Sequence, residues 1–457
     1  MQLKAAEVQQ DLASARQRGA SPDLVFTGVA TDTRQAIAGT LFFALRGEHF
    51  DGHDFVPQAL EGGARGVVVG LDTWERWQEL PEACFGVDDP LRALQALARA
   101  SLRRWPLRVV AITGSNGKTT TKDLTAAALG SAGSVYATRG NLNNHIGVPL
   151  TVLARRGDEK FLVAEIGASD FGEIEILSRL LKPDAAVVTN IGHAHLERFG
   201  SLQGVLRAKS EIFAGLRPGG LAVLHADDPF LPELRRAAAG ARQVTFGFAA
   251  DADYRVEAAR PDGPGYQQLL LCGTALRLAR PGRGNAGNAA AALAVACELG
   301  AVPSAAAAAM EACVFTKQRS SWTRLGEVWV LDDSYNANPD SMAQALEVLS
   351  GHDGRRIVCL GDMRELGSAS AALHAALGRS VARAGVDLFL ATGEEMRHAV
   401  EAAVQEGLGA AARHHARFEA LLEDLRQNLR AGDAVLVKGS RAAGMERVVE
   451  ALRVGVA

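Results

Sequence analysis

The sequence predicts an α/β protein of three domains, and three observations support that prediction. The chain has 457 residues, enough for about three domains of ~150 residues each. Short apolar runs alternate with helical patterns through much of the chain, which is typical of parallel sheets covered by helices on both faces. The alternation stops near residues 249–283 and starts again at about residue 316. We therefore predict three domains, at residues 1–86, 87–315 and 316–457.

The first range is predicted to be a small α/β domain. Its apolar runs LFFAL and GVVVG have the composition of buried strands, and a helical stretch lies near residues 54–62. Just beyond it, leucines recur at helical spacing from Pro90 to Trp105. Asp89 precedes this run and is the predicted N-cap of a helix that opens the second range.

The central range carries a repeated strand–helix pattern. RVVAIT, FLVAEIG, DAAVVTNIG and GLAVLHAD are predicted strands, with helices starting at about Lys118 and covering residues 172–181 and 202–214. Residues 249–283 are polar and rich in turn residues, so we expect irregular structure there. An alanine-rich helix, GNAGNAAAALAVACELG, follows. The central range is thus expected to hold a parallel sheet.

The third range repeats the same pattern. VWVLDD, RRIVCLGD, DLFLATG and DAVLVKG are predicted strands with helices between them. Such a series forms an open parallel sheet with helices on both faces, as in a Rossmann-like domain. We expect a hinge near residues 314–320, where the second series begins.

Composition excludes several classes of protein. The net charge of −3 gives no footprint for nucleic acid, and no run approaches the ~20 apolar residues of a membrane span. The N-terminal residues lack an apolar core of signal-peptide length. The five cysteines are odd in number and form no C-x-x-C pair, which is typical of a reducing compartment. We expect a cytoplasmic protein without membrane insertion.

The segment ITGSNGKTTTKDL, residues 112–124, predicts a phosphate-binding loop. The full pattern is G-x-x-x-x-G-K-[ST], and its first glycine would fall at Ile112, with Gly114 standing closer in. The other requirements are met, because an apolar strand leads into a glycine turn and a helix begins at about Lys118. Lys118 can neutralise phosphate oxygens and the Thr119 hydroxyl can bind Mg²⁺. The alternative is a strand–helix turn without a ligand.

Three further positions bear on the chemistry, each with a plain structural alternative. Glu165 ends a predicted strand where α/β sheets bind ligands, so it could hold Mg²⁺ or only cap the next helix. His193 and His195 follow another strand; H-x-H without further ligands does not make a zinc site, and solvated loop histidines are the alternative. Lys209 lies on a predicted helix, where a solvated lysine is usual. Only 8 of the 49 basic residues are lysine, which slightly favours a special role.

Together these stretches resemble the Mur ligase family, ATP-dependent enzymes that add amino acids to a UDP-linked peptidoglycan precursor. The shortened loop matches the family form T-G-x-N-G-K-T-T, and the D-N-P-R string of the member that adds the third residue is absent. The resemblance covers essentially the whole chain. The other matching stretches are TDTR at 31–34, LRGEHFDGHDF at 45–55, GNLNNHIGVPL at 140–150, AHLERFGS at 194–201, AKSEIF at 208–213, DDSYNANPDSM at 332–342, LGDMRELG at 360–367 and VKGSR at 437–441.

The resemblance implies an activity. It implies ligation of D-alanyl-D-alanine to UDP-N-acetylmuramoyl-tripeptide through an acyl phosphate, with ADP and phosphate as products, during cytoplasmic peptidoglycan precursor synthesis. It implies ATP and Mg²⁺ as cofactors, a small N-terminal domain for the UDP substrate, a central ATPase domain, and a C-terminal domain that binds the dipeptide and closes over ATP. We expect a monomer.

The resemblance also assigns residues. Catalytic roles fall on Lys118, Glu165, His195 and Lys209. One Mg²⁺ is expected at Thr119 and Glu165, and a second at Glu165, His195 and Lys209 carried as a carbamate. The implied ATP-binding residues are Gly114, Ser115, Asn116, Gly117, Lys118, Thr119, Thr120, Asn285, Asn288, Arg319 and Asp333. The implied substrate-binding residues are Thr31, Asp32, Thr33, Arg34, Arg46, Gly47, Asn143, Asn144, Tyr335, Asn336, Asn338, Lys438 and Ser440.

Two rival functions stay open at this point. A folylpolyglutamate synthase shares the loop and central fold, but the TDTR and GEHFDGHDF segments before the loop are not expected in it. A regulatory module that hydrolyses ATP slowly would use the third domain as an interaction surface.

The sequence does not show which group accepts the proton of the attacking amine. His145 is a candidate, and a neutral hydrogen-bonding histidine is the alternative.

Overall fold

The structure is a computed structural model that describes residues 2–12, 16–19, 21–77 and 82–455. These residues form four sheets, of two, five, nine and six strands. The three larger sheets follow one another along the chain, and the first of them packs against helices α3 (Pro90–Arg104) and α5 (Gly147–Leu153) of the central range. The predicted α/β class is confirmed.

The first sheet system lies before the phosphate loop. Its five strands run in the order β2-β7-β6-β5-β4, and the short strands β1 and β3 pair separately. The predicted runs LFFAL and GVVVG supply β5 and β6, which are buried along their whole length. The bounds are β1 Leu3–Lys4, α1 Ala5–Asp11, β2 Arg16–Gly19, β3 Val25–Phe26, β4 Val29–Ala30, β5 Leu41–Phe43, a 3₁₀ turn Gly52–Phe55, α2 Val56–Glu61, β6 Gly66–Gly70, a 3₁₀ turn Leu71–Trp77 and β7 Ala83–Val87.

The central sheet has nine strands in the order β16-β15-β14-β13-β12-β11-β8-β10-β9. From β9 to β14 all pairings are parallel, which places the carboxyl ends of these strands at one edge. The predicted N-cap is confirmed, since the Asp89 side chain accepts from the N–H groups of Leu91 and Arg92. The bounds to this point are α3 Pro90–Arg104, β8 Arg108–Thr113, α4 Lys118–Gly130, β9 Val135–Ala137, α5 Gly147–Leu153, β10 Phe161–Glu165, α6 Glu173–Leu181, β11 Ala185–Val188, α7 Leu196–Phe199, α8 Leu202–Ser210, a 3₁₀ turn Glu211–Gly215, β12 Leu221–His225, α9 Leu231–Ala237 and β13 Arg242–Gly247.

The expectation of irregular structure at residues 249–283 was wrong. These residues continue the central sheet as β14, β15 and β16, the last two added in antiparallel fashion. In β15 buried residues alternate with exposed or half-exposed ones, so no continuous apolar run marks the strand. The bounds are β14 Tyr254–Pro261, β15 Gln267–Leu271, β16 Thr274–Leu278, α10 Arg283–Glu298 and α11 Pro303–Glu311.

The third sheet has six strands in the order β17-β18-β22-β19-β20-β21, all parallel except β17. All four strands predicted here are present as β18, β19, β20 and β22. The bounds are β17 Ser321–Leu325, β18 Val328–Asp333, α12 Pro339–Ser350, β19 Arg356–Gly361, a 3₁₀ turn Gly367–Ala369, α13 Ser370–Arg383, β20 Leu388–Thr392, α14 Met396–Ala403, a π turn Val404–Leu408, a 3₁₀ turn Gly409–Ala411, β21 Ala412–His415, α15 Phe418–Asn428, β22 Ala434–Lys438, a 3₁₀ turn Arg441–Ala443 and α16 Glu446–Gly455.

The alanine-rich helix α10 lies against the phosphate-loop side of the central sheet. It contacts α4 and the strands β12 to β14, and every residue from Ala286 to Ala296 is buried. Small side chains allow this close approach between helix and sheet. No helix within the described ranges is both long enough and apolar enough to cross a membrane.

Candidate active site

The phosphate-loop segment links β8 to α4 in a turn that admits only glycine at two places. Gly114 and Gly117 have positive φ angles of 144° and 80°. A β-carbon on Gly114 would lie 2.0 Å from Thr189 Oγ1, and one on Gly117 would lie 2.4 Å from Asn288 Oδ1. Ile112, where the longer pattern has a glycine, is a fully buried strand residue. The shortened loop is therefore tight because its neighbours pack against it.

Lys118 opens α4 and folds back over the loop. Its Nζ donates to the carbonyl of Gly114 at 2.6 Å and to that of Ser115 at 3.1 Å. Burial lowers the pKa of Lys118 to about 8; the charge of Arg319 adds to this lowering and that of Glu165 opposes it. An ammonium at a helix N-terminus, beside a glycine loop, is an arrangement that suits a phosphate chain.

Glu165 ends β10 beside the loop and is only 3% exposed. Its Oε2 accepts from Thr119 Oγ1 at 2.9 Å, and its Oε1 accepts from Asn143 Nδ2 at 2.9 Å. The Glu165 N–H donates to Thr138 Oγ1 at 3.0 Å, which fixes the strand end. Three residues predicted from separate motifs thus meet in one hydrogen-bonded group, and Glu165 does not cap the following helix.

His195 lies at the N-cap of α7 with a positive φ of 54°. Its Nδ1 is in contact with a carboxylate oxygen of Glu365, which comes from the third domain. The backbone supports this contact, because the Glu197 N–H donates to the Glu365 carbonyl at 2.9 Å. The histidine is therefore not a solvated loop residue but part of a junction between two domains.

Lys209 on α8 is 1% exposed. Its ammonium lies 5.6 Å from the centre of the Phe199 ring, and among the described residues no carboxylate lies within ion-pairing distance of it. Burial lowers the pKa of Lys209 to about 7; the charge of Lys118 adds to this, and those of Glu211 and Glu173 oppose it. Burial therefore favours the unprotonated, nucleophilic form of this amine.

The residues at this edge fit Mg²⁺. The described part of the chain contains no cluster of three or more His, Cys, Asp or Glu side chains that could hold a metal. Mg²⁺ needs no such cluster, because it retains water and is held through one or two carboxylates together with phosphate oxygens. The buried Thr119 hydroxyl and Glu165 carboxylate, 2.9 Å apart, supply hard oxygen donors beside the loop.

The two asparagines of α10 pack against the loop. Asn288 is 8% exposed; its Oδ1 accepts from Thr121 Oγ1 at 3.2 Å and its Nδ2 lies 3.3 Å from Asn285 Oδ1. Asn285 Nδ2 donates to the Pro281 carbonyl at 2.9 Å. The pair thus packs against Gly117 and the first turn of α4.

The third domain contributes the other wall. The Arg319 guanidinium lies 3.8 Å from the centre of the Tyr335 ring. Asp333, at the end of β18, accepts from the Ser320 N–H at 2.9 Å and pairs with the buried ammonium of Lys438. Burial lowers the pKa of Lys438, and the charge of Asp333 opposes that effect. The third domain therefore presents a charged and partly aromatic surface to the loop.

Two polar groups on that wall have no partner within the described residues: Arg319 Nε and Ser440 Oγ, the latter on a residue 2% exposed. Unpaired buried donors are unfavourable unless a ligand or water satisfies them. Both residues line a cavity of about 680 Å³ between the central and third domains. The predicted residues that line it are Ser115, Asn116, Gly117, Lys118, Thr119, Thr120, Asn143, Asn144, Glu165, His195, Lys209, Asn285, Asn288, Arg319, Asp333, Tyr335, Asn336, Asn338, Lys438 and Ser440.

The predicted residues of the first domain lie outside this cavity. They are paired with one another or with neighbours instead. Arg34 Nη2 lies 2.7 Å from Asp32 Oδ2, and Thr33 Oγ1 donates to Gln58 Oε1 at 3.0 Å. Arg46 donates to the Asp51 carboxylate at 3.2 Å and also pairs with Asp72. Thr31 and Gly47 lie in the same two stretches.

One predicted residue of the central domain, Gly114, is also outside the lining of the cavity. Its carbonyl accepts the hydrogen bond from Lys118 Nζ.

Sequence reasoning missed three residues of the third domain that lie at its boundary with the central domain. Glu365 contacts His195, Asp340 accepts from the His193 N–H at 2.6 Å, and Arg364 lines the cavity beside them. Glu365 and Asp340 stand in the stretches LGDMRELG and DDSYNANPDSM, where the sequence alone indicates no role for them. Only the tertiary structure brings them to His195 and His193.

The comparisons with known proteins match the whole of this architecture. Three family models match successive parts of the chain: "Mur ligase family, catalytic domain" at residues 25–101, "Mur ligase middle domain" at 112–296 and "Mur ligase, glutamate ligase domain" at 318–441. Together they cover far more than half of the chain.

Individual relatives agree. The UDP-N-acetylmuramoyl-tripeptide–D-alanyl-D-alanine ligase of Escherichia coli is 39% identical over 454 residues, 97% of each chain. A crystal structure of MurF from Acinetobacter baumannii has a TM-score of 0.90 at 32% identity and covers 99% of both chains. MurF ligase from Thermotoga maritima, solved in complex with ADP, has a TM-score of 0.79 at 28% identity over 94% of this chain and 97% of that one.

The rival synthase shares only the fold. A folylpolyglutamate synthase from Mycobacterium tuberculosis has a TM-score of 0.61 at 15% identity and covers 79% of this chain. That level of identity shows a common architecture and carries no information about substrates.

Proposed function

This chain belongs to the Mur ligase family, and we propose that its cavity joins D-alanyl-D-alanine to UDP-N-acetylmuramoyl-tripeptide. The reaction consumes ATP and gives UDP-N-acetylmuramoyl-pentapeptide, ADP and phosphate, so the protein is an ATP-dependent, ADP-forming amide ligase of peptidoglycan precursor synthesis. The observation that carries this function is similarity along the whole chain, at 39% identity, to a relative of that specificity. The cavity between the central and third domains supports it.

The proposed chemistry begins with the acceptor's terminal carboxylate, whose oxygen is a poor leaving group. One of its oxygens attacks the γ-phosphorus of ATP and ADP leaves, which gives an acyl phosphate. The two reacting groups are both anionic, and at 4 Å unit charges repel by ~4 kcal/mol at an effective dielectric of 20. Lys118, held over the loop by the carbonyls of Gly114 and Ser115, offsets this repulsion and aligns the phosphates.

We assign the Mg²⁺ ligands to the hydroxyl and carboxylate beside the loop. Thr119 and Glu165 would hold one ion, and bound Mg²⁺ would neutralise phosphate charge. Asn143 donates to the other oxygen of Glu165, so it fixes the orientation of that carboxylate. The position of Glu165 at the end of β10 keeps the group rigid.

Lys209 fits a second, chemically modified role. With a pKa of about 7, its unprotonated amine can attack CO₂, which forms an N–C bond and releases one proton. The carbamate that results is an anionic oxygen ligand, which suits Mg²⁺ together with Glu165 and His195. We therefore propose that Lys209 acts as a carbamate in the working enzyme.

The second half of the reaction takes place against the third domain. The dipeptide amine attacks the acyl carbonyl, a tetrahedral intermediate forms, and phosphate leaves. Ser440 and Arg319, each with an unpaired donor in the cavity, are positioned to bind the dipeptide or the nucleotide. His145 lines the same cavity and is our candidate for accepting the proton of the amine.

Closure of the third domain would protect the acyl phosphate from water. We propose that this domain moves about residues 314–320, where the Thr316 N–H donates to Asp123 on α4 at 2.9 Å and the Arg280 guanidinium reaches the Thr316 carbonyl at 3.4 Å. Small-angle scattering with and without ATP analogue and acceptor tests this motion. Identical profiles would contradict it.

The proposal also covers the UDP-binding site, the localisation, the oligomeric state and the domain ranges. The acceptor is long, so we assign its UDP end to the first domain, at residues 31–34 and at Arg46 and Gly47. We place the enzyme in the cytoplasm and expect a monomer, which light scattering coupled to size-exclusion chromatography tests. The proposed domain ranges stay 1–86, 87–315 and 316–457.

A coupled phosphate-release assay tests the function directly. Release should require UDP-N-acetylmuramoyl-tripeptide and D-Ala-D-Ala together, measured with acceptors carrying either diaminopimelate or lysine as third residue. Release that ignores both substrates would indicate a slow regulatory ATPase. Release that responds only to folate and glutamate would indicate a folylpolyglutamate synthase.

A further inference from the structure

Three elements meet around the phosphate loop: the loop itself, the turn at residues 189–195 after β11, and the N-terminus of α12 from the third domain. Loop and turn are joined by hydrogen bonds. The Asn116 N–H donates to Asn190 Oδ1 at 3.0 Å, the Ser115 N–H donates to the Asn190 carbonyl at 3.0 Å, and the Gly192 N–H donates to Ser115 Oγ at 2.8 Å. The loop and the turn therefore form one unit.

Asn338 connects this unit to the third domain. Its Oδ1 accepts from the Ser341 N–H at 2.9 Å, as the N-cap of α12, and its Nδ2 donates to Asn116 Oδ1 at 2.8 Å. The cap fixes the amide orientation, because only the oxygen can accept from the Ser341 N–H. The amide nitrogen of Asn338 must therefore face the phosphate loop.

Asp340 makes a second connection, to the turn. Its Oδ2 accepts from the His193 N–H at 2.6 Å, and its Oδ1 lies 3.0 Å from His193 Nδ1. Because a carboxylate can only accept, Nδ1 carries the proton in this contact. A β-carbon on Gly192 would lie 2.2 Å from Asp340 Oδ2, so the approach requires glycine at that position.

We propose that Asn338 and Asp340 are positioning residues that set the phosphate loop for ATP when the third domain docks. The inference rests on the proposed function and goes beyond it, because it gives α12 a role on the nucleotide instead of on the dipeptide. Asn116 is held by the turn on one side and by Asn338 on the other. When the third domain leaves, the loop keeps only its contacts within the central domain. The Asn116 side chain then loses the hydrogen bond from Asn338, which is its link to α12.

Two substitutions separate this role from simple helix stability. Asn338→Asp keeps an N-cap acceptor but places a carboxylate oxygen opposite Asn116 Oδ1. Asp340→Asn keeps the size of the side chain but replaces one of the two accepting oxygens with an NH₂ donor. The amide therefore cannot accept from both the N–H and the Nδ1 of His193 in this geometry. For each we expect the affinity for ADP with Mg²⁺, measured by titration calorimetry on the full chain, to fall about tenfold, as the loss of a charge-assisted or buried hydrogen bond implies. The KM for ATP should rise in parallel, and the KM for D-Ala-D-Ala should stay within about twofold.

The controls make the result decisive. Asp251→Asn, an exposed substitution elsewhere in the central domain, should leave ADP affinity unchanged. Asn338→Ser keeps the N-cap with a side chain too short to reach Asn116, so it replaces Asn338→Asp if that variant unfolds the domain. Thermal unfolding of each variant shows whether it is folded. ADP affinity within twofold of wild type in both variants would overturn the proposal, as would a rise confined to the KM for D-Ala-D-Ala. If the wild-type protein released phosphate without acceptor or dipeptide, the proposed ligase function would be contradicted. The ADP affinities of the variants would still test whether Asn338 and Asp340 position the loop.

Discussion

The central cavity and the surface of the first domain hold their polar side chains in opposite ways. In the cavity, Glu165 and Lys209 are 3% and 1% exposed, and Thr119 and Asn143 hold the Glu165 carboxylate before any ligand arrives. On the first domain, the side chains of Arg34 and Arg46 are 85% and 51% exposed and pair with nearby carboxylates. Exposed pairs of this kind contribute little to the stability of the fold, so a ligand can replace them easily.

This difference predicts which kinetic constant each substitution should change. Preorganised, buried groups stabilise charge that develops in the transition state, so their loss should lower kcat. Exposed, replaceable pairs contribute binding that is equal in the ground and transition states, so their loss should raise KM alone.

The largest effect is expected at the phosphate loop and its carboxylate neighbour. Lys118→Ala and Glu165→Gln should each lower kcat by on the order of 10³, because each removes a charge placed against the transferring phosphoryl group. Steady-state phosphate release measures this. Lys160→Ala, at an exposed lysine of the same domain, is the matched control and should retain activity. If kcat fell less than tenfold in both Lys118→Ala and Glu165→Gln, the proposed difference between the cavity and the first domain would be wrong.

The next effect concerns the modified lysine. Lys209→Ala should nearly abolish activity, and a small carboxylic acid such as acetate should restore part of it by supplying the missing anionic oxygen. Chloride at equal ionic strength is the control for the added salt. Full activity in Lys209→Ala, with or without acetate, would remove the carbamate from the scheme.

Burial of the same lysine should also appear in stability. Its folded pKa of about 7 lies below the unfolded value of about 10.4, so the unfolded chain binds more protons between those values. Lys209→Met, in buffer free of CO₂, should therefore be more stable than wild type by a few kcal/mol below pH 7. The advantage should shrink as pH rises from 7 towards 10. Urea unfolding of both proteins at pH 6 and pH 9 measures this advantage. If the difference in the free energy of unfolding were the same at both pH values, the pKa of Lys209 would not be lowered in the folded protein.

The smallest effect is expected on the first domain. Arg34→Ala and Arg46→Ala should each raise the KM for the UDP-linked acceptor by about tenfold, as the loss of a charge-assisted hydrogen bond implies, with kcat and ADP affinity unchanged. Arg92→Ala, an exposed arginine outside these stretches, is the control. A fall in kcat with constant KM would place these arginines with the chemistry and contradict the assigned difference.

The sequence was enough to predict the part of the site built from continuous segments. The strand, glycine turn and helix at residues 108–130 follow from local composition, and Glu165 was placed at the end of its strand for the same reason. Parallel strands that are apolar throughout give a clear pattern, so the order of elements in the central and third domains was readable.

The rest depended on tertiary contacts or on weaker patterns. Strands β15 and β16 were missed because an antiparallel strand with one exposed face lacks a continuous apolar run. The bond between Asn338 and Asn116 joins residues 222 positions apart, and no local pattern predicts such a contact. Likewise, nothing adjacent to Glu365 indicates that it meets His195. These junctions exist because two sheets that are far apart in the sequence face each other across one cavity.

The central claim is that the acceptor's carboxylate becomes an acyl phosphate in this cavity, and oxygen transfer tests it most directly. UDP-N-acetylmuramoyl-tripeptide would be prepared with both oxygens of its reacting carboxylate as ¹⁸O and turned over with ATP and D-Ala-D-Ala. Because one carboxylate oxygen bonds to the γ-phosphorus and departs with it, each released phosphate should carry one ¹⁸O atom. Phosphate free of the label, formed alongside pentapeptide, would contradict the account.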